Sequence, residues 1–235
     1  MEPTFDIPPA WDWSADQIVR HRWRKILVLG GVDRGKSTYC RFLIRRCLET
    51  GQRVAVVDTD VGQKDMGPPA TLTLGYPEVA QSLAEVPPVA WYFLGATSPA
   101  GHLLPMIVGV RQLVDTARAA YIIINTTGFV TGPGRVLKGY KIEAVRPDVI
   151  VALEHGQQGG ELARVIGSRV GGVAAVVGRQ HQQVVRAHRL EPAGNGGVDL
   201  ASFHDAAIPD AAKAKLEEMK KGLADGSIKT NVNIP

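Results

Sequence analysis

Gly30 to Ser37 reads GGVDRGKS, a match to GxxxxGK[S/T], and each residue type in it suits the holding of a triphosphate. Gly30, Gly31 and Gly35 let backbone N–H groups converge on phosphate oxygens, Lys36 reaches the outer phosphates, and the Ser37 hydroxyl can hold Mg2+. Val32, Asp33, Arg34 and the following Thr38 complete the stretch that would lie against the nucleotide. Phosphoryl transfer also needs a carboxylate for the metal and one to take the acceptor's proton. Asp58 and Asp60 are the candidates for both. Asp58 closes the apolar run VAVVD and Asp60 lies two residues on, so each can project toward the phosphates from the carboxyl end of a sheet. The plain alternatives are a glycine-rich turn with a solvated lysine, and aspartates that serve a turn or a helix cap.

For these residues to meet, the loop must join a strand to a helix. KILVLG, Lys25 to Gly30, is a short apolar run entering the glycines and reads as a buried strand. From Ser37 to Thr50, Cys40, Leu43, Ile44, Cys47 and Leu48 recur at helical spacing and Gly51 supplies the stop. Val54 to Asp58 is the second buried strand; Trp91 to Leu94, Tyr121 to Asn125, Asp148 to Leu153 and Val173 to Val177 read as further ones. Helical patterns fall at Leu103 to Ala119 and Glu161 to Ile166. Alternating apolar strands and helices predict an α/β fold, a P-loop NTPase sandwich of three layers, α/β/α, with a mostly parallel sheet.

With 235 residues and 45% hydrophobic content, the chain suits one such domain with flanking sequence. We divide it into an N-terminal extension (1–24), the P-loop domain (25–190), and a linker with an amphipathic-helix tail around Pro209 to Leu223 (191–235). No apolar run reaches the ~18 residues of a membrane helix, and the first twenty residues lack the pattern of an export signal, so a cytoplasmic protein is expected. Cys40 and Cys47, seven apart on a helix, suit buried packing better than a disulfide or zinc site. The net charge of +4 permits a polyanionic partner without requiring one.

A GxxxxGKS loop with an acidic strand end does not by itself separate a GTPase, a motor ATPase, a small-metabolite kinase and a polynucleotide kinase. Three further segments narrow the field by resemblance. DTDVGQKDMGPPATLTL (Asp58 to Leu74), FLGATSPAGHL (Phe93 to Leu103) and NTTGFVTGPG (Asn125 to Gly134) resemble, in order, motifs of the polynucleotide 5′-hydroxyl kinase family. The resemblance implies transfer of the γ-phosphoryl group of ATP, with Mg2+, to the 5′-hydroxyl end of RNA or DNA. It implies that Lys36 and Ser37 handle phosphates and metal, that Asp33 helps clasp the nucleotide, and that Asp60, with Gln63 completing DxGQ, activates the acceptor hydroxyl. Thr97 and Ser98 match positions that contact the terminal nucleotide, and Asn125 and Gly128 belong to the NTxGWxxGxG signature. Phe129 stands where many members carry a base-stacking Trp. Arg179 resembles the first arginine of a lid, with Arg186 or Arg189 as a second.

Two other readings stay open: a nucleotide-binding scaffold without turnover, and a small-molecule kinase sharing only the loop. The tail, GGVDLASFHD onward, resembles the C-terminal end of basic-membrane-lipoprotein-type solute-binding proteins and tells nothing of the kinase site.

Overall fold

The computed structural model describes residues 7–79, 82–154, 173–178 and 182–183, all within the first of the chain's two units, Met1–His188. The helical patterns at Glu161 to Ile166 and Pro209 to Leu223, and Arg179, Arg186 and Arg189, lie outside the described residues.

The strands are β1 (Lys25–Gly30), β2 (Val54–Thr59), β3 (Thr71–Gly75), β4 (Pro88–Phe93), β5 (Tyr121–Thr126), β6 (Val149–Glu154), β7 (Val173–Gly178) and β8 (Gln182–Gln183). They form one sheet in the order β4-β3-β2-β5-β1-β6-β7-β8. From β2 through β5, β1 and β6 to β7 every pairing is parallel, and antiparallel strands extend both edges. Successive parallel strands must be joined by crossovers, and these carry the helices α2 (Lys36–Leu48), α3 (Leu103–Thr116) and α4 (Pro133–Val145).

Alternate residues of the central strands bury in two separate cores. On one face Ile26, Val28, Val54, Val56 and Ile123 pack under α2 through Tyr39, Cys40, Leu43, Ile44 and Cys47. On the other, Leu27, Leu29, Val57, Ile122 and Ile124 pack under Met106 and Val110 of α3 and Leu137 and Ile142 of α4. Both faces are thus covered, which is why these strands read as unbroken apolar runs. The cysteines are free and buried as expected, and burial pushes both thiols far above the ordinary range.

Four departures from the sequence-based expectation have physical causes. Trp91 to Leu94 was expected as a buried strand, but β4 is an edge strand whose residues alternate in exposure, with Trp91 60% and Phe93 73% exposed. The run TLTL went unread as a strand because its threonines interrupt the apolar pattern, yet it forms the fully buried β3. Within residues 1–24 the helix α1 (Pro9–His21) buries Ala10, Ser14, Ala15 and Ile18, a face of mostly small residues that gives little apolar signal. It packs by Trp11 edge-on to Tyr39 of α2. Finally α4 went unread because its buried face, Gly134, Leu137, Lys138, Lys141, Ile142 and Val145, has helical spacing but places two lysines among the apolar positions.

Candidate functional site

β1 is the central strand where the sheet's winding reverses, and its carboxyl end opens into the glycine loop, the place where open α/β sheets bind ligands. Gly30 is still in the sheet, paired with Leu153; an added Cβ there would meet the Leu153 carbonyl oxygen at 3.1 Å and Lys36 Cγ at 3.2 Å. Asp33 and Gly35 both take left-handed backbone (φ 55° and 77°), which folds the loop back over the start of α2. Val32, Asp33 and Arg34 are exposed on the crest of the loop, Gly31, Gly35, Ser37 and Thr38 are half-buried, and Lys36 is buried.

Lys36 Nζ donates to the Gly31 carbonyl at 2.7 Å, bridging the loop from beneath. Burial lowers its pKa, and the opposing carboxylate influence comes from Asp60 first, then Asp33 and Asp65. The structure thus brings Asp60 into electrostatic reach of Lys36. Asp60 Oδ1 accepts from the backbone N–H of Gly62 (3.1 Å) and of Gln63 (3.0 Å), which holds the carboxylate in a tight turn while Oδ2 takes no part in it. Gln63 Nε2 donates to Asp33 Oδ1 at 3.4 Å, linking this turn to the phosphate loop. The Thr97 carbonyl oxygen lies 3.6 Å from where a Gly62 Cβ would stand, so Thr97 flanks the same turn. Ser98, also exposed, accepts from Ala100 N–H.

Asp58 does not share that setting. It has no exposure, and its oxygens accept from Asp60 N–H, Asn125 Nδ2, Lys64 Nζ and Met66 N–H at 3.0–3.2 Å. Burial pushes its carboxyl up, opposed by the Lys64 charge and those donors. With both oxygens engaged by these donors, Asp58 anchors the turn that carries Asp60. The carboxylate that does reach Ser37 is Asp65, whose Oδ2 accepts from Ser37 Oγ at 2.5 Å. Asp65 was missed because nothing in KDMG marks it as chemically special.

Asn125, expected to contact substrate, is buried in β5 directly across from Asp58 in the parallel register. Its Nδ2 serves Asp58, and its Oδ1 is a buried acceptor with no partner among the described residues. Gly128 is required by packing: a Cβ there would stand 2.7 Å from the Val32 backbone N and Cα. Phe129 N–H is held by Thr127 Oγ1 at 3.2 Å, and the half-buried ring packs partly on the α3/α4 core. Behind these strand ends lie Lys138 and Lys141, both fully buried. Burial lowers the pKa of each, that of Lys141 to about 7, with Asp60 and then Asp58 pulling it back up. Their signal was present in the sequence as lysines falling in step with the apolar period of LKGYKIEAV.

Among the described residues no group of three or more His, Cys, Asp or Glu is placed to hold a metal ion. The Ser37–Asp65 pair is a hard-oxygen set, the kind that Mg2+ uses when phosphates complete its coordination.

The family model for the mRNA cleavage and polyadenylation factor CLP1 P-loop matches residues 30–194. The chain belongs to the CLP1 P-loop family. A protein named polyribonucleotide 5′-hydroxyl-kinase from Methanocaldococcus jannaschii is 47% identical over 133 residues, which cover 55% of this chain and 37% of that protein. One of the same name from Thermococcus kodakarensis is 46% identical over 138 residues, covering 57% and 39%. Polyribonucleotide 5′-hydroxyl-kinase Clp1 from Bos taurus is 29% identical over 157 residues, covering 61% and 37%. This chain therefore spans well under half the length of these CLP1-type relatives. The solved structure of Clp1p in its complex with Pcf11p superposes with a TM-score of 0.59 at 12% identity, over 90% of this chain and 52% of that one. At such identity the likeness speaks for the P-loop fold alone. No helix among the described residues is long and apolar enough to cross a membrane.

Proposed function

We propose that this chain transfers the γ-phosphoryl group of ATP to the 5′-hydroxyl end of a polynucleotide, RNA in the first instance, with Asp60 as the general base. The observation that carries the reading is the setting of Asp60: one carboxylate oxygen pinned by two backbone N–H groups, with the Lys36 ammonium within electrostatic reach. The relatives' names support the reaction class, and the hydrogen-bonded turn beside the phosphate loop supports Asp60 as the base.

In the proposed reaction the acceptor's 5′-oxygen forms a bond to the γ-phosphorus as the bond from that phosphorus to the β,γ-bridging oxygen breaks. The acceptor's proton passes to Asp60 and ADP leaves. The loop N–H groups and Lys36 hold the phosphates and offset the charge that shifts toward the leaving oxygen. Mg2+, when bound, would neutralise phosphate charge, with Ser37 and the Asp65 or Asp60 carboxylate as its protein ligands. Thr97 and Ser98 flank the acceptor's entry, and Phe129 offers a ring face to a base. Arg179 is proposed as the lid cation.

The test incubates the chain with γ-labelled ATP and a 5′-hydroxyl oligoribonucleotide, with Lys36→Ala as control. Label on the oligonucleotide, lost in the control, supports the reading. Retention of ATP with neither transfer nor hydrolysis would make the chain a scaffold, and label on a free nucleoside alone would make it a small-molecule kinase.

A further inference from the structure

The buried face of α4 spends two of its positions on lysines with no exposure. An amine sealed from water is costly unless its N–H groups are used, so what each Nζ touches is informative. Lys141 Nζ donates to Thr59 Oγ1 at 2.7 Å, and Thr59 Oγ1 donates onward to the Asn125 carbonyl at 2.7 Å. Lys138 Nζ donates to the Thr127 carbonyl at 2.5 Å. Neither lysine forms an ion pair with a described carboxylate. The acceptors are not scattered: Thr59 immediately precedes Asp60, and Thr127 immediately precedes Gly128 and Phe129. One hydrogen bond ties α4 to the end of β2, the other to the end of β5, and the Thr59–Asn125 bond ties the two ends together.

We propose that Lys138 and Lys141 are positioning residues of the transfer site, fixing the carboxyl ends of β2 and β5 so that Asp60 and the Gly128–Phe129 turn keep their places beside the phosphate loop. The inference rests on the kinase reading for its effect on rate. Its structural content stands independently, because the N–H groups of Gly62 and Gln63, which bond to Asp60, report the position of that turn directly. A long stem that reaches from the helix to a strand end and finishes in a donor is what such a tie requires.

The experiment compares Lys141→Met, which keeps the stem and removes the donor, with Lys141→Gln, which keeps a donor and removes the charge. Lys138→Met tests the second tie. Amide hydrogen exchange is followed at Gly62, Gln63, Gly128 and Phe129, alongside oligonucleotide phosphorylation. Lys141→Met is expected to speed exchange at Gly62 and Gln63 at least about tenfold while the β1 and β6 amides stay protected. It should lower kcat by about 10- to 100-fold with KM for ATP changed less than about threefold, and Lys141→Gln should recover most of that loss. Thr59→Val, which removes the acceptor instead, should reproduce the Met variant's kcat loss even where the Met variant folds poorly. In the double variant of Thr59→Val with Lys141→Gln the two losses should not add. Unchanged exchange at Gly62 and Gln63, or a kcat within about twofold of wild type in both Lys141→Met and Thr59→Val, would overturn the inference. If the wild-type chain labels no oligonucleotide, the kinase reading fails, and the exchange measurement still decides the positioning role.

Discussion

Beneath the phosphate loop the sheet carries two polar layers, one on each face, and they are built on opposite plans. On the α2 face Asp58 is matched in charge by Lys64 at 3.0 Å and in hydrogen bonds by Asn125, Asp60 and Met66. On the α4 face Lys138 and Lys141 meet a carbonyl and a hydroxyl and no described carboxylate. The first layer is balanced within itself and serves the fold. The second has donors without matching charge, which the fold alone gains nothing by burying; its ties run to the two strand ends that hold Asp60 and Gly128. The contrast teaches that one sheet end can carry an anchor on one side and a positioning device on the other, and that burial of charge says little until its partners are named.

The largest effect should come from the residue between the two layers. Asp60→Asn keeps the acceptor for the Gly62 and Gln63 N–H groups and removes the base, so kcat for oligonucleotide phosphorylation should fall by about 10²- to 10⁴-fold while ATP affinity stays within a few-fold. An equal fall in ATP affinity, measured by titration, would show that Asp60 serves the nucleotide and not the acceptor.

Asp58→Ala should act on folding instead. It strands Lys64, whose side chain is only 8% exposed, without its counter-charge, and should cost about 3 kcal/mol in urea unfolding. Pairing Asp58→Asn with Lys64→Met should recover a large part, since the polar layer on this face is self-contained. If the double variant is no better than Asp58→Ala, the balance attributed to this layer is wrong.

Gly128→Ala comes next. The new Cβ would stand 2.6 Å from Val32 Cγ2 and 2.7 Å from Val32 N and Cα, so the phosphate loop must shift at a cost of about 1–3 kcal/mol. The expected readout is a loss of ATP affinity of about tenfold or more, against a much smaller change for Gly51→Ala, where nothing lies within 4 Å and only the left-handed φ of 70° is strained.

The strands and helix around the phosphate loop were legible because GGVDRGKS, KILVLG and the Cys40–Leu48 periodicity each demand one local structure and agree with one another. Asp60 was legible only through the resemblance carried by DTDVGQ, since spacing alone gave Asp58 an equal claim. What separates the two is the direction of one side chain into the sheet's α2 face, and a sequence read by period does not encode that for residues at a strand end. The α4 layer stayed hidden for the opposite reason: lysines on a helix are expected on the solvated face, and the local sign that these two point inward was only that they fall in step with Leu137, Ile142 and Val145.

The smallest effect is the most direct test of how the two layers differ. Burial lowers the Lys141 pKa from 10.5 to about 7, with Asp60 and Asp58 opposing; Lys138, its neighbour on α4, is lowered in part by Lys141 itself. Between those two values the unfolded chain binds a proton that the folded chain does not, so Lys141 makes stability rise with pH across that window. Below about pH 7 both forms are charged and the dependence vanishes, leaving the full penalty of a buried charge. Lys141→Met lacks this linkage. The difference in unfolding free energy between wild type and Lys141→Met should therefore shift in favour of wild type by on the order of 1 kcal/mol per pH unit from about pH 7.5 to 9.5, and level off below about pH 6. A difference that stays flat across the alkaline range would mean that Lys141 keeps its charge when folded. The α4 layer would then be balanced by Asp60 and Asp58, as the α2 layer is by Lys64, and the contrast between the two faces would disappear.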